Sequence, residues 1–130
     1  MGKEFRVLVF GKEGCDKCKT LNNRIDSLLQ KEEWGAFEKV YMDVGTEDGI
    51  VSFCQMECLN PQRIPAMVVA RRDPETGDYM PVANASPQQD DPVCRNSRLY
   101  THVGLQTDYN ANGVISKKMI QAVLQEAADA

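Results

Sequence analysis

Cys15 and Cys18 stand three positions apart where an apolar run, Val7-Leu8-Val9-Phe10, stops at Gly11 and Gly14 and a helical period begins. Two thiols at that spacing suit thiol–disulfide exchange: one attacks a disulfide as a thiolate, and the other then resolves the mixed disulfide. A helix N-terminus favours the thiolate, because its unpaired N–H groups and the positive end of the helix dipole face the sulfur. Cys15, at or just before the first turn, is placed to use that field. Cys18, Leu21, Ile25, Leu28 and Leu29 recur as one apolar stripe, so Cys18 turns toward a core while Cys15 stays at the rim. The expected roles are nucleophile for Cys15 and resolver for Cys18. Lys12, Lys17 and Lys19 favour the Cys15 thiolate while Glu13 and Asp16 oppose it, so the expected redox potential is roughly −200 to −270 mV.

The elements that must position this pair follow from the same patterning. Residues 5–10 read as a strand covered on both faces. The dithiol helix runs to about Trp34, where Gly35 ends it, and residues 39–44 form a second strand. Strand, helix, strand of this length implies a right-handed crossover and parallel pairing. Thr46 is placed to cap a second helix over 47–59, with Val51, Cys54 and Cys58 on its apolar face. Next, Ile64-Pro65 heads an apolar strand reaching Ala70. Proline cannot donate into a ladder, and X-Pro is the one peptide bond that is readily cis. A cis bond there would turn the Ile64 backbone outward to pair with an extended peptide. Residues 73–97, with Pro74, Pro81, Pro87 and Pro92, read as a long insertion. A short strand over 98–103 ends at Gly104, a polar loop covers 106–112, and Ser116 caps a last helix with Met119, Ile120, Val123, Leu124 and Ala127 on one face. No repeat or boundary divides the chain, so 1–130 is expected to be one domain.

Strand and helix order, the dithiol after the first strand and the Ile-Pro before the third together resemble the thioredoxin superfamily. The stretch from Phe10 to Cys18 is similar to a glutaredoxin active site, Lys12 included. Arg63-Ile64-Pro65 resembles the cis-proline segment, Val103-Gly104 the glycine turn that lines the substrate groove, and residues 113–117 the start of the last helix. The resemblance implies an α/β fold with a central mixed four-stranded sheet flanked by helices and the 73–97 insertion between the last two strands. It also implies a redox-active centre for electron transport and cell redox homeostasis. Cys15 and Cys18 would be catalytic, with Lys12, Ile64, Pro65 and Gly104 binding substrate. Disulfide-containing proteins would be the substrates, and an upstream thiol reductase or glutathione the donor. Arg63 stands where glutaredoxins place the Thr of their glutathione-holding Thr-Val-Pro, which puts the reductase first. Val9 stands where thioredoxins carry a buried acid on the first strand, so no carboxylate is expected there to manage the Cys18 proton.

The remaining thiols keep a second class of function open. Cys54 and Cys58 could join Cys15 and Cys18 as a four-cysteine zinc or iron–sulfur module without catalysis, form a regulatory dithiol, or simply fill core space. Cys94 is expected to be an exposed or half-exposed thiol, and His102 a polar neighbour on the last strand. Residues 108–116 match the opening of a calcium loop but carry Met119 where the bidentate Glu belongs, and an Asx-rich turn explains the same letters. No cofactor or resident metal is expected for the enzyme. At 130 residues, 42% hydrophobic and net charge −4, the chain needs no disulfide staples and gives no reason to expect nucleic acid or membrane as partner. An odd cysteine count and no apolar leader point to a reducing, cytoplasmic setting, and a monomer is expected.

Overall fold

The computed structural model describes residues 3–55, 63–84, 93–94, 97–99, 101–107 and 115–130. Strand β1 (Phe5–Gly11) leads to α1 (Asp16–Leu29), then a single 3-10 turn (Glu32–Trp34), β2 (Phe37–Asp43), α2 (Glu47–Gln55), β3 (Ala66–Arg72), β4 (Tyr79–Pro81), β5 (Gly104–Gln106) and α3 (Lys117–Asp129). The helix carrying the dithiol ends five residues before Trp34. Trp34 is delivered separately by the 3-10 turn, where it packs edge-on against Phe37.

β1 lies at the centre of the sheet, parallel to β2 on one side and antiparallel to β3 on the other. Its residues alternate between two cores, which is why the run is apolar throughout. Val7 and Val9 face a cluster with Leu21, Ile25 and Leu28 of α1 and Ile120, Val123 and Leu124 of α3. Leu8 and Phe10 face a second cluster with Cys18, Ile64, Val68 and Phe53 of α2. Each fully buried aliphatic side chain contributes on the order of 1.5–3 kcal/mol relative to exposure, so the sheet is held from both faces. Ser116 caps α3, its Oγ accepting the Met119 N–H at 3.2 Å, and the five apolar residues expected on that helix's inner face are all buried.

The mixed sheet flanked by helices matches expectation, but its fourth position is shared. β4 pairs with residues 70–72 of β3 and β5 with residues 66–68, end to end along one edge. At the junction Val69 accepts from the Val82 N–H and donates to the Val103 carbonyl. The segment expected to leave the fold at residue 73 instead turns back at once. Asp73 accepts the Glu75 N–H on its side chain, Gly77 adopts φ +79°, and Asp73 N–H bonds the Asp78 carbonyl, closing a hairpin into β4. Residues 85–92, the heart of the expected insertion, lie outside the described residues.

Two other placements differ from expectation. The last strand is 104–106 rather than 98–103; Arg98 and His102 contribute only isolated bridges, to Leu105 and Ala83. In α2 the inward face is Gly49 and Phe53, leaving Val51 and Cys54 exposed. A side chain at Gly49 would fall 1.9 Å from the Asp43 carbonyl oxygen, so the helix is pressed against the end of β2 along that line. That contact, not the apolarity of Val51, sets its rotation.

Candidate active site

Gly14, at φ +78°, turns the chain out of the β1–α1 loop into Cys15, a left-handed conformation that glycine adopts at little cost. Cys15 is the N-cap residue of α1: its backbone is extended, its sulfur accepts the Cys18 N–H at 3.2 Å, and its carbonyl accepts the Lys19 N–H. A sulfur in that position takes the place of the usual Ser or Asp oxygen and lies in the field that stabilises negative charge. Cys15 and Cys18 are joined as a disulfide with Cα atoms 5.2 Å apart. They are not equivalent. Cys15 is half-buried at the rim, whereas Cys18 is 2% exposed and packed with Phe10, Phe53 and Ile64.

The Ile64–Pro65 peptide is cis, and Ile64 is buried in the same cluster as Cys18. Pro65 and Ile115 form one wall of a groove of about 270 Å³ whose other wall is the first two turns of α1, with Asp16, Lys17, Thr20 and Arg24. Leu21 adds an apolar surface, and Asp16 on the ionic rim is the next residue in the chain after Cys15. Arg24 braces the groove by donating to the Ile115 carbonyl at 2.7 Å.

Gly104 takes no part in this groove. It lies buried in β5 opposite Val68, three residues along β3 from Pro65. Its Cβ would meet the Met67 carbonyl oxygen at 2.3 Å, so the glycine permits close strand packing rather than lining a substrate shelf. The residue of this segment that does reach Pro65 is Thr107, which falls in the polar loop expected over 106–112. Its N–H and hydroxyl both bond the Pro65 carbonyl, at 3.1 and 3.0 Å, and its own carbonyl accepts from Arg63 Nε at 2.7 Å. No local sequence signal marks it, because its burial follows from the pairing of β5 with β3.

Lys12 is exposed in the loop between β1 and α1. Cys54 is exposed on α2, and Cys58 lies outside the described residues. Cys94 is not the expected surface thiol: at 1% exposure it joins the α1–α3 core, its sulfur 3.8 Å from the Met119 carbonyl. Among the described residues no three His, Cys, Asp or Glu side chains stand together as a metal set. Residues 108–114 of the calcium-loop match lie outside the described residues, and Ser116 serves as a helix cap. No helix among the described residues is long and apolar enough to cross a membrane.

Comparison with solved structures places this architecture. A crystal structure of chloroplastic thioredoxin z superposes with a TM-score of 0.55 at 14% identity, over 98% of this chain and 81% of that one. The fold is that of thioredoxin. Mitochondrial thioredoxin 3 from Saccharomyces cerevisiae, in its oxidized form, gives a TM-score of 0.42 at 19% identity, over 60% of this chain and 63% of that one. No protein-family model matches the chain, and no curated protein matches it in sequence. Within the thioredoxin fold the dithiol of this chain sits at the start of the helix that follows the central strand, in the same cluster as Ile64, the residue before the cis-proline.

Two further residues of the site were not anticipated: Thr107, bonded to the cis-proline, and Tyr41 of β2, which borders the same space beside Gly11 as Cys18. Burial, reinforced by the Asp43 and Glu13 carboxylates, pushes the Tyr41 phenol above its ordinary range, so it is neutral at physiological pH.

Proposed function

We propose that this chain is a thiol–disulfide oxidoreductase acting on disulfide-containing proteins. The observation that carries the reading is the asymmetry of the pair: the Cys15 sulfur caps the N-terminus of the helix that walls the groove, and Cys18 lies one turn deeper in a core. In the reduced enzyme the Cys15 thiolate attacks one sulfur of a substrate disulfide. A Cys15–substrate bond forms, and the other substrate sulfur leaves as thiolate. Cys18 then attacks Cys15, restoring the Cys15–Cys18 disulfide and releasing the second substrate sulfur. Two electrons pass to the substrate, and an external reductant must return them. The cis Ile64–Pro65 segment and the groove beside it hold the substrate chain, and Lys12 favours the Cys15 thiolate. Arg63 in place of a threonine favours a protein reductase over glutathione as donor. Such work suits a monomer in a reducing compartment such as the cytoplasm.

The test is reduction of insulin disulfides by the purified protein, supplied in turn with a thioredoxin reductase system, glutathione and dithiothreitol. Turnover is expected with the reductase, none from Cys15→Ser, and a stalled mixed disulfide from Cys18→Ser. Full activity in Cys15→Ser, or no reduction with any donor, would overturn the proposal. A stoichiometric metal lost on Cys54→Ser would support the metal-thiolate module instead.

A further inference from the structure

Resolution requires the second cysteine as a thiolate, and Cys18 is buried, which by itself raises a thiol pKa. The β1 residues packed in its cluster, Leu8 and Phe10, are buried and apolar, so neither favours the ionised sulfur. The neighbouring strand offers a candidate. Tyr41 pairs with Val9 in the parallel β1–β2 register, so both side chains leave the sheet on the face covered by α1. Two positions on, Gly11 carries no side chain. The place its Cβ would occupy is bordered by Tyr41 Oη at 2.9 Å, Tyr41 Cε2 at 3.0 Å and Cys18 Cβ at 3.1 Å. The phenol oxygen and the Cys18 Cβ therefore border the same small space beside Gly11. Gly11 does not have the positive φ that would call for glycine, so the space itself is what its missing side chain provides.

We propose that the Tyr41 hydroxyl donates a hydrogen bond to the Cys18 sulfur and supports its thiolate in the resolving step. The inference rests on the oxidoreductase reading and deepens it. In the mixed disulfide, the Cys18 S–H gives its proton to water at the partly open edge where Tyr41 is 40% exposed. The resulting thiolate accepts the phenol O–H and attacks Cys15 Sγ. The Cys15–Cys18 bond forms as the Cys15–substrate bond breaks, and the substrate sulfur leaves with the electron pair and takes a proton from solvent. Tyr41 keeps its own proton throughout. The titratable groups facing the phenol are Asp43 of β2, Glu13 of the β1–α1 loop and Cys18 of α1. Both carboxylates disfavour a phenolate, which keeps the donor loaded.

The experiment reads Cys18 directly. In a Cys15→Ser background, the rate of Cys18 alkylation by iodoacetamide is followed against pH, with peptide mass spectrometry separating it from the other thiols. Adding Tyr41→Phe removes only the hydroxyl. Loss of one hydrogen bond to a charged acceptor is expected to move the midpoint upward and slow alkylation at neutral pH about tenfold. Cys15 alkylation in the otherwise unaltered chain should be unaffected by Tyr41→Phe. An unchanged Cys18 midpoint, or an equal shift at Cys15, overturns the proposal. Gly11→Ala retains the phenol but fills the gap, and it must give the same upward shift; should Tyr41→Phe not fold, that variant decides. Failure of the oxidoreductase reading would look different, because insulin reduction by the unaltered protein would be absent whatever Cys18 does.

Discussion

Gly104→Ala separates two roles for one residue. As part of a substrate shelf, Gly104 would tolerate a methyl group with a change in substrate affinity and little change in stability. The sheet makes the opposite demand. An added Cβ would lie 2.3 Å from the Met67 carbonyl oxygen, 2.7 Å from Leu99 Cδ1 and 3.1 Å from the Val68 Cα. Two of those three neighbours are backbone atoms of the central antiparallel pairing, which cannot swing aside as a side-chain tip can. Overpacking of this kind costs about 1–3 kcal/mol, while the lost freedom of the unfolded chain returns about 0.4–1 kcal/mol, leaving a net loss of roughly 1–2 kcal/mol. For a domain of this size that lowers Tm by roughly 3–10 °C. Thermal melts followed by circular dichroism, with denaturant titration to check the slope, measure the loss. Insulin reduction well below the melting point should show an unchanged KM. An unaltered Tm together with a raised KM would refute the close-packing argument and return Gly104 to the substrate groove.

Ser116→Ala removes the oxygen that accepts the Met119 N–H and should cost about 1 kcal/mol, visible as a Tm lowered by a few degrees with activity per folded molecule retained. Under native conditions Cys54 should be alkylated rapidly, while Cys94, buried against α3, should react only as the chain opens; equal rates by mass spectrometry would contradict the core placement of Cys94. The Tyr41 phenol should ionise at higher pH than an ordinary tyrosine when followed by phenolate absorbance. Because the folded state holds that proton more tightly than the unfolded chain, stability should fall with rising pH once the unfolded-state value is passed, and less steeply in Tyr41→Phe.

Legibility tracked how local each cause was. The α3 boundary, its cap and its inner face came from one amphipathic period and one serine, all within a single segment, and β1 from an unbroken apolar run. The rim and core placements of Cys15 and Cys18 were legible for the same reason, since helix phase alone separates the two. Where a contact between distant segments decided the outcome, the local pattern misled. Val51 and Cys54 looked like a buried face, but the approach of Gly49 to the Asp43 backbone rotates α2 the other way. Gly104 looked like a strand terminator, whereas it begins β5 because a glycine lets two strands press close. β4 was hidden by Pro74 and Pro81, residues that are compatible with a turn and an edge-strand end once Asp73 and Gly77 close the hairpin.

Tyr41 shows the limit most plainly. Nothing in its own neighbourhood marks it as more than a strand residue with an aromatic ring. Its relation to Cys18 depends on the β1–β2 register, which the length of the α1 crossover sets, and on an empty position at Gly11 on the adjacent strand. A bulkier residue at position 11 would leave every local signal of strand, loop and helix intact while pushing ring and thiol apart. The dithiol motif therefore specifies where the sulfurs lie, whereas the support for the buried one is distributed over two strands and emerges only when they pair.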